Sequence, residues 1–191
     1  IEEGGTGPYK AILTEDSNLK GFAIYRPQDL SVFGKNQKLP VILWGNGGCM
    51  NTSFSFRNFL NEIASNGYIV IAIGPYETAL DMSNMELGRQ STKSSQLIDA
   101  LNWIIEQNNN KTTIYFNKID VDKVAAMGQS CGGLQAIEVS TDPRITTSVV
   151  CNSGVLNAGP GSSSLPGMPS VSKELLQQYH GPVMYLLGGK E

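Results

Sequence analysis

The chain has 191 residues, 14 Lys+Arg against 17 Asp+Glu, and is 40% hydrophobic with 16% charged residues, a balance proper to one globular domain with a single substantial core. A net charge of -3 leaves no basic stripe to neutralise phosphates, which argues against nucleic acid as a partner. The longest apolar runs, residues 41–44 and 68–73, fall far short of the ~20 residues a membrane-spanning helix needs.

In chain order, residues 1–9 are Gly-rich and read as an entry loop. Strands are predicted over 21–25, ending at Arg26-Pro27, and over 39–44, an unbroken apolar run typical of a strand buried on both faces of a parallel sheet. That run enters Gly45-Asn46-Gly47-Gly48-Cys49. Over 54–65 the residues Phe56, Phe59, Leu60 and Ile63 recur at helical spacing, and Asn66-Gly67 is an αL stop. Another buried strand follows over 68–73. After a polar loop over 74–89, Ser91 or Thr92 can cap a helix with Leu97, Ile98, Leu101, Ile104 and Ile105 on one face, ended by Asn108-Asn109-Asn110. A strand over 121–127 runs into Gly128-Gln129-Ser130-Cys131-Gly132-Gly133 and a helix to Ser140. A strand over 145–151, a Gly/Ser/Pro-rich loop over 154–170, a short helix over 171–179 and a last strand over 182–187 complete the pattern. Strands alternating with helices predict an α/β domain with a mostly parallel sheet and its site at the carboxyl ends of the strands.

Two Gly-rich turns fall at such ends. Gly128-Gln129-Ser130-Cys131-Gly132 fits G-x-S-x-G and has an apolar strand before it and a helix after it. The glycines permit a tight strand-to-helix turn that lifts the Ser130 hydroxyl above the sheet, beside free N–H groups at a helix start. The plain alternative is a Gly-rich packing turn. An acyl-transfer site also needs two N–H donors for the oxyanion, one after the nucleophile and one from the loop after the third strand. Cys131 and the 45–49 turn stand where those donors are required. A dinucleotide loop is the weaker reading of that turn, since no G-x-G-x-x-G is present.

With these residues in place the sequence resembles the α/β-hydrolases, and within them the polyester hydrolase (PET hydrolase and cutinase-like) and dienelactone-hydrolase-like branch. The resemblance rests on Gly4-Gly5-Thr6-Gly7-Pro8-Tyr9, residues 40–49, Asn61-Glu62-Ile63-Ala64-Ser65-Asn66-Gly67-Tyr68, Lys93-Ser94-Ser95-Gln96 and residues 128–133. It implies an α/β-hydrolase fold with helices on both faces of the sheet, an ester substrate, small or polymeric, and neither metal nor organic cofactor. By the same resemblance Ser130 is the nucleophile and Cys131 and Cys49 the oxyanion-hole residues. A cysteine at 49 departs from the polyester hydrolases, where that position is often aromatic, and weakens the implication of a polyester substrate. Two donors aimed at one oxygen must be neighbours, which puts Cys49 and Cys131 within reach of a disulfide. Because side-chain direction is not readable from sequence, the expectation is two separate buried thiols.

A hydrolase of this fold orders its triad Ser, then Asp or Glu, then His. His180, the sole histidine, precedes the last predicted strand and so would enter at the amino end of the sheet, opposite the elbow. Asp142 before Pro143 reads as a helix end. In the resembled family the acid follows the last strand, and Gly189-Lys190-Glu191 stops one residue short of it. The expectation is therefore a single domain over 1–191 that lacks its C-terminal strand and helix, with acid and histidine beyond Glu191 or on a companion chain. The functional expectation is a serine esterase, secreted or periplasmic, and otherwise cytoplasmic. The rivals are a non-catalytic binding module on the same fold and a thiol nucleophile at Cys131.

Overall fold

The computed structural model describes residues 4–79, 92–155, 168–169 and 171–189. Seven strands, β1 (Ala11–Thr14), β2 (Phe22–Pro27), β3 (Leu39–Gly45), β4 (Ile69–Ile73), β5 (Ile119–Gln129), β6 (Thr147–Cys151) and β7 (Val183–Leu186), form one sheet in the order β1-β2-β4-β3-β5-β6-β7. The β1–β2 and β2–β4 pairs are antiparallel, and from β4 through β7 every pair is parallel. This is the expected α/β, mostly parallel architecture.

Helix α1 (Arg57–Ser65) covers one face of the sheet, and α2 (Ser95–Asn109) and α3 (Cys131–Val139) cover the other. The apolar run of β3 shows why it needs no polar residue. Val41 and Leu43 pack under α2 and α3 with Ile69, Ile71, Leu101 and Ile104, while Ile42 and Trp44 pack under α1 with Leu60, Ala64, Val70 and Ala72. Burying each such aliphatic side chain contributes about 1.5–3 kcal/mol, and the alternation of the strand divides that contribution between two cores.

Several local expectations shift. Strand β1 was absent from the sequence-based elements; its four residues gain their place by pairing with β2. Helix α1 begins at Arg57 after a single 3-10 turn over Phe54–Phe56, and Phe59, expected on the buried face, is 42% exposed. It ends as expected, with Gly67 at φ +87° and its N–H on the Ala64 carbonyl. Helix α2 starts at Ser95, and the Thr92 hydroxyl, expected as a cap, instead donates to the Cys49 carbonyl at 3.1 Å. Ser91 and much of the two loops over 74–89 and 154–170 lie outside the described residues. The short helix before β7 is 3-10 over Lys173–Gln178.

Candidate active site

Strands β3 and β5 are neighbours in register, with Gly45 opposite Gly128, so the two Gly-rich turns leave the sheet side by side. The backbones there are in direct contact. A Cβ built on Gly132 would lie 2.1 Å from the carbonyl carbon and oxygen of Gly45, and one on Gly128 would lie 2.2 Å from the Gly132 oxygen. Nothing larger than hydrogen fits at either position, which is why the pattern flanks its serine with glycine.

Ser130 joins β5 to α3 at φ 53° and ψ -116°, a left-handed backbone that costs a non-glycine residue of order 1–3 kcal/mol and survives only where its surroundings over-determine it. Here they do. Its N–H donates to the Cys151 carbonyl at 3.0 Å, and its carbonyl accepts from Gly133 N–H at 2.9 Å, Leu134 N–H at 3.2 Å and Ser153 Oγ at 2.7 Å. No hydrogen-bond partner is found for Ser130 Oγ among the described residues. Among those residues the non-glycines with positive φ are Cys49, Asn117, Ser130 and Asn152. Cys49 follows β3, Ser130 follows β5 and Asn152 follows β6, so strain is concentrated at the carboxyl edge of the sheet, as at functional sites generally.

Cys131 opens α3, where first-turn N–H groups have no intrahelical acceptor and carry the positive end of the helix dipole. Cys49 lies in the 3-10 turn over Gly47–Cys49, and its N–H closes that turn on the Asn46 carbonyl at 3.2 Å. To serve an oxyanion this amide must share or surrender that long bond. The two cysteines are 5.2 Å apart at Cα and form a disulfide, which corrects the expectation of two separate thiols and removes Cys131 as a thiol nucleophile. Cys151 is the remaining cysteine, free and buried, and burial pushes its thiol pKa up and keeps it protonated.

Two residues that hold the site went unassigned in the sequence. Asn46 is fully buried, accepts from Trp44 Nε1 at 2.9 Å and donates through Nδ2 to the carbonyls of Ile73 at 2.6 Å and Met50 at 3.1 Å. It pins the turn to the ends of β3 and β4. Gln135, also fully buried, donates to the Thr92 carbonyl and hydroxyl, both at 2.9 Å. A lone Asn among glycines after a buried strand was the available signal for the first; Gln135, on a helix face of apolar neighbours, gave none that separates it from a surface residue.

His180 is where the sequence placed it. Its Nε2 lies 2.9 Å from the carbonyl of Ile145, two residues before β6 begins, and the rise from Ile145 to Cys151 at ~3.3 Å per residue puts it roughly 20 Å from the elbow. Asp142 binds Arg144 through both carboxylate oxygens at the same end, at 2.9 and 2.6 Å, and that guanidinium holds its pKa below the usual carboxylate range. Glu77 accepts from the Thr52 hydroxyl and Glu138 from the Ser94 hydroxyl. A cavity of about 380 Å³ next to the elbow is lined by Trp44, Phe56, Phe59, Gln129, Leu186 and Leu187, among others. Among the described residues no cluster of His, Cys, Asp and Glu could hold a metal, and no helix is long and apolar enough to cross a membrane.

A mixed, mostly parallel sheet covered by helices on both faces, carrying a strained Gly-x-Ser-x-Gly turn at the carboxyl end of a central strand, is the architecture of an α/β-hydrolase. The family model described as PET hydrolase-like matches residues 3–153, and the chain belongs to that family. Membership implies an ester hydrolase. No curated protein matches the chain.

Proposed function

We propose that the protein hydrolyses carboxylic esters through an acyl-enzyme on Ser130. The observation that carries this reading is the left-handed backbone of Ser130 on a strand-to-helix turn, with its hydroxyl unpaired among the described residues. In the proposed step Oγ attacks the ester carbonyl carbon as a general base takes its proton. The negative oxygen that forms is held by the Cys131 N–H and by the 46–49 turn, through Cys49 N–H once its bond to Asn46 is shared. The alcohol leaves with a proton, and water then releases the acid. The apolar cavity beside Gln129 suits an aromatic or aliphatic group of the ester.

The base and its acid partner are assigned outside the described residues, because His180 is bound to Ile145 at the far end of the sheet. We place them on further sequence or on a companion chain that completes one α/β-hydrolase domain. The apolar side chains of β7, with Met184 52% and Tyr185 47% exposed on opposite faces of the strand, support additional covering elements. The disulfide supports export to an oxidising compartment.

The test is a fluorophosphonate probe on the full native protein, with the adduct mapped by mass, beside turnover of a p-nitrophenyl ester. An adduct on Ser130, and loss of at least about a thousandfold in kcat for Ser130→Ala, is the expected result. An unlabelled Ser130 and no turnover would overturn the esterase reading in favour of a binding module.

A further inference from the structure

The disulfide sits where the proposed chemistry is most sensitive to position. Each sulfur hangs from the same Cα as one of the two amides assigned to the oxyanion: Cys131 directly follows Ser130, and Cys49 ends the turn that faces it. Both residues are buried, at 2% and 1% exposure. Hydrogen bonds extend the bridge into a closed ring. The Cys49 carbonyl accepts from Thr92 N–H at 3.0 Å and from Thr92 Oγ1 at 3.1 Å, Thr92 in turn accepts from Gln135 Nε2, and Gln135 stands one helical turn beyond Cys131 on α3.

The ring explains how Cys49 keeps φ at 49°. A side chain in that region pays a steric cost that the chain escapes by rotating to an ordinary φ, and the preceding Gly47 and Gly48 offer little resistance to such a rotation. Rotating about φ turns the Cys49 peptide unit, and with it the direction of its N–H. The bridge from one side and Thr92 from the other prevent this. We propose that the Cys49–Cys131 disulfide is a positioning device for the oxyanion hole, so that ester hydrolysis at Ser130 requires the bridge to be oxidised. The inference rests on the esterase reading and adds to it a dependence on redox state.

The step that switches it is thiol–disulfide exchange. A dithiol reductant supplies two electrons and two protons, the S–S bond breaks, Cys49 and Cys131 become thiols, and the reductant closes to its own disulfide. The loss expected is in kcat, because an oxyanion donor acts on the transition state and hardly on the bound ester.

The experiment compares the full native protein in three forms: oxidised, reduced with dithiothreitol and alkylated with iodoacetamide, and Cys49→Ala/Cys131→Ala. Each is assayed for kcat and KM on a p-nitrophenyl ester and for affinity toward an alkylboronic acid, which forms a tetrahedral adduct on the serine. A parallel reduced sample is left unalkylated and reoxidised. Both bridge-free forms should lose about ten- to a hundredfold in kcat with KM within about twofold and with boronate affinity weakened in proportion, and reoxidation should restore the activity. Unchanged kcat and boronate affinity with both cysteines alkylated would overturn the proposal. Should the bridge-free forms lose their near-ultraviolet circular dichroism, Thr92→Val decides, since it keeps the disulfide and removes only the hydroxyl bonds. A two- to fivefold fall in kcat at constant KM supports the ring, and an unchanged kcat overturns it. Absence of Ser130-dependent turnover in the oxidised protein is a different failure: it removes the esterase reading and the present inference with it.

Discussion

Two ends of one sheet are built in opposite ways. At the carboxyl ends of β3 and β5 the backbones of Gly45 and Gly132 touch, a disulfide joins the flanking residues, and Asn46 and Gln135 are fully buried yet hydrogen-bonded. Two strands away, β7 leaves Val183, Met184, Tyr185 and Leu186 exposed on both faces, and an apolar groove of about 580 Å³ opens beside α1 between Phe59, Ile63 and Val149. Close packing at the first end leaves the backbones of the two turns little freedom to move, as the proposed chemistry would require. The second end obeys only the strand ladder and gains nothing from its apolar side chains until another surface covers them.

The comparison breaks first at Gly132. Gly132→Ala puts a methyl carbon inside the Gly45 backbone, so β3 and α3 must separate; a loss above about 3 kcal/mol in urea-unfolding stability is expected. A loss below about 1 kcal/mol would show that the elbow end is softer than its geometry. Next in size is Asn46→Ala, which strands the Trp44 indole N–H and the Ile73 carbonyl. A cost of about 2–3 kcal/mol, with a drop in kcat, should appear in the same measurements.

At the other end, Met184→Ser and Tyr185→Ser should each cost about 2 kcal/mol of unfolding free energy in the full native protein, where the proposed further elements cover β7. A cost of no more than about 0.5 kcal/mol would show that β7 stays uncovered. The smallest effect concerns pH. Arg144 lowers the Asp142 pKa in the folded state, so the pair stabilises the fold above the unfolded carboxylate pKa of about 4 and that stability is lost as pH falls through the folded value. Asp142→Asn should flatten the acid limb of a stability-against-pH curve and leave neutral turnover unchanged.

Much of this was legible in the chain. The runs over 39–44 and 68–73 read as strands buried on both faces, and β3 and β4 are such strands; the Gly-rich turn after residues 121–127 needed a strand before it and a helix after it, both of which are present. The position of His180 followed from its place ahead of the last strand. The pairing of Cys49 with Cys131 did not follow, since sequence order says which backbones meet and not where their side chains point. Thr92 read as a helix cap because its hydroxyl suits that role, yet the turn 43 residues earlier offers the Cys49 carbonyl, and that contact wins. Phe59 fits a helical stripe but lies on the flank of α1 that faces the open groove.

The sequence by itself determined the order of the strands from β2 onward and of helices α1 to α3, the two glycine turns and the serine within the second, because hydrophobic period and glycine placement are local constraints on the backbone. The tertiary structure alone decided the register that sets Gly45 opposite Gly128, which sulfurs bond, and which buried amides close the ring. Those outcomes depend on distances between residues far apart in the chain, and only the packed sheet sets them.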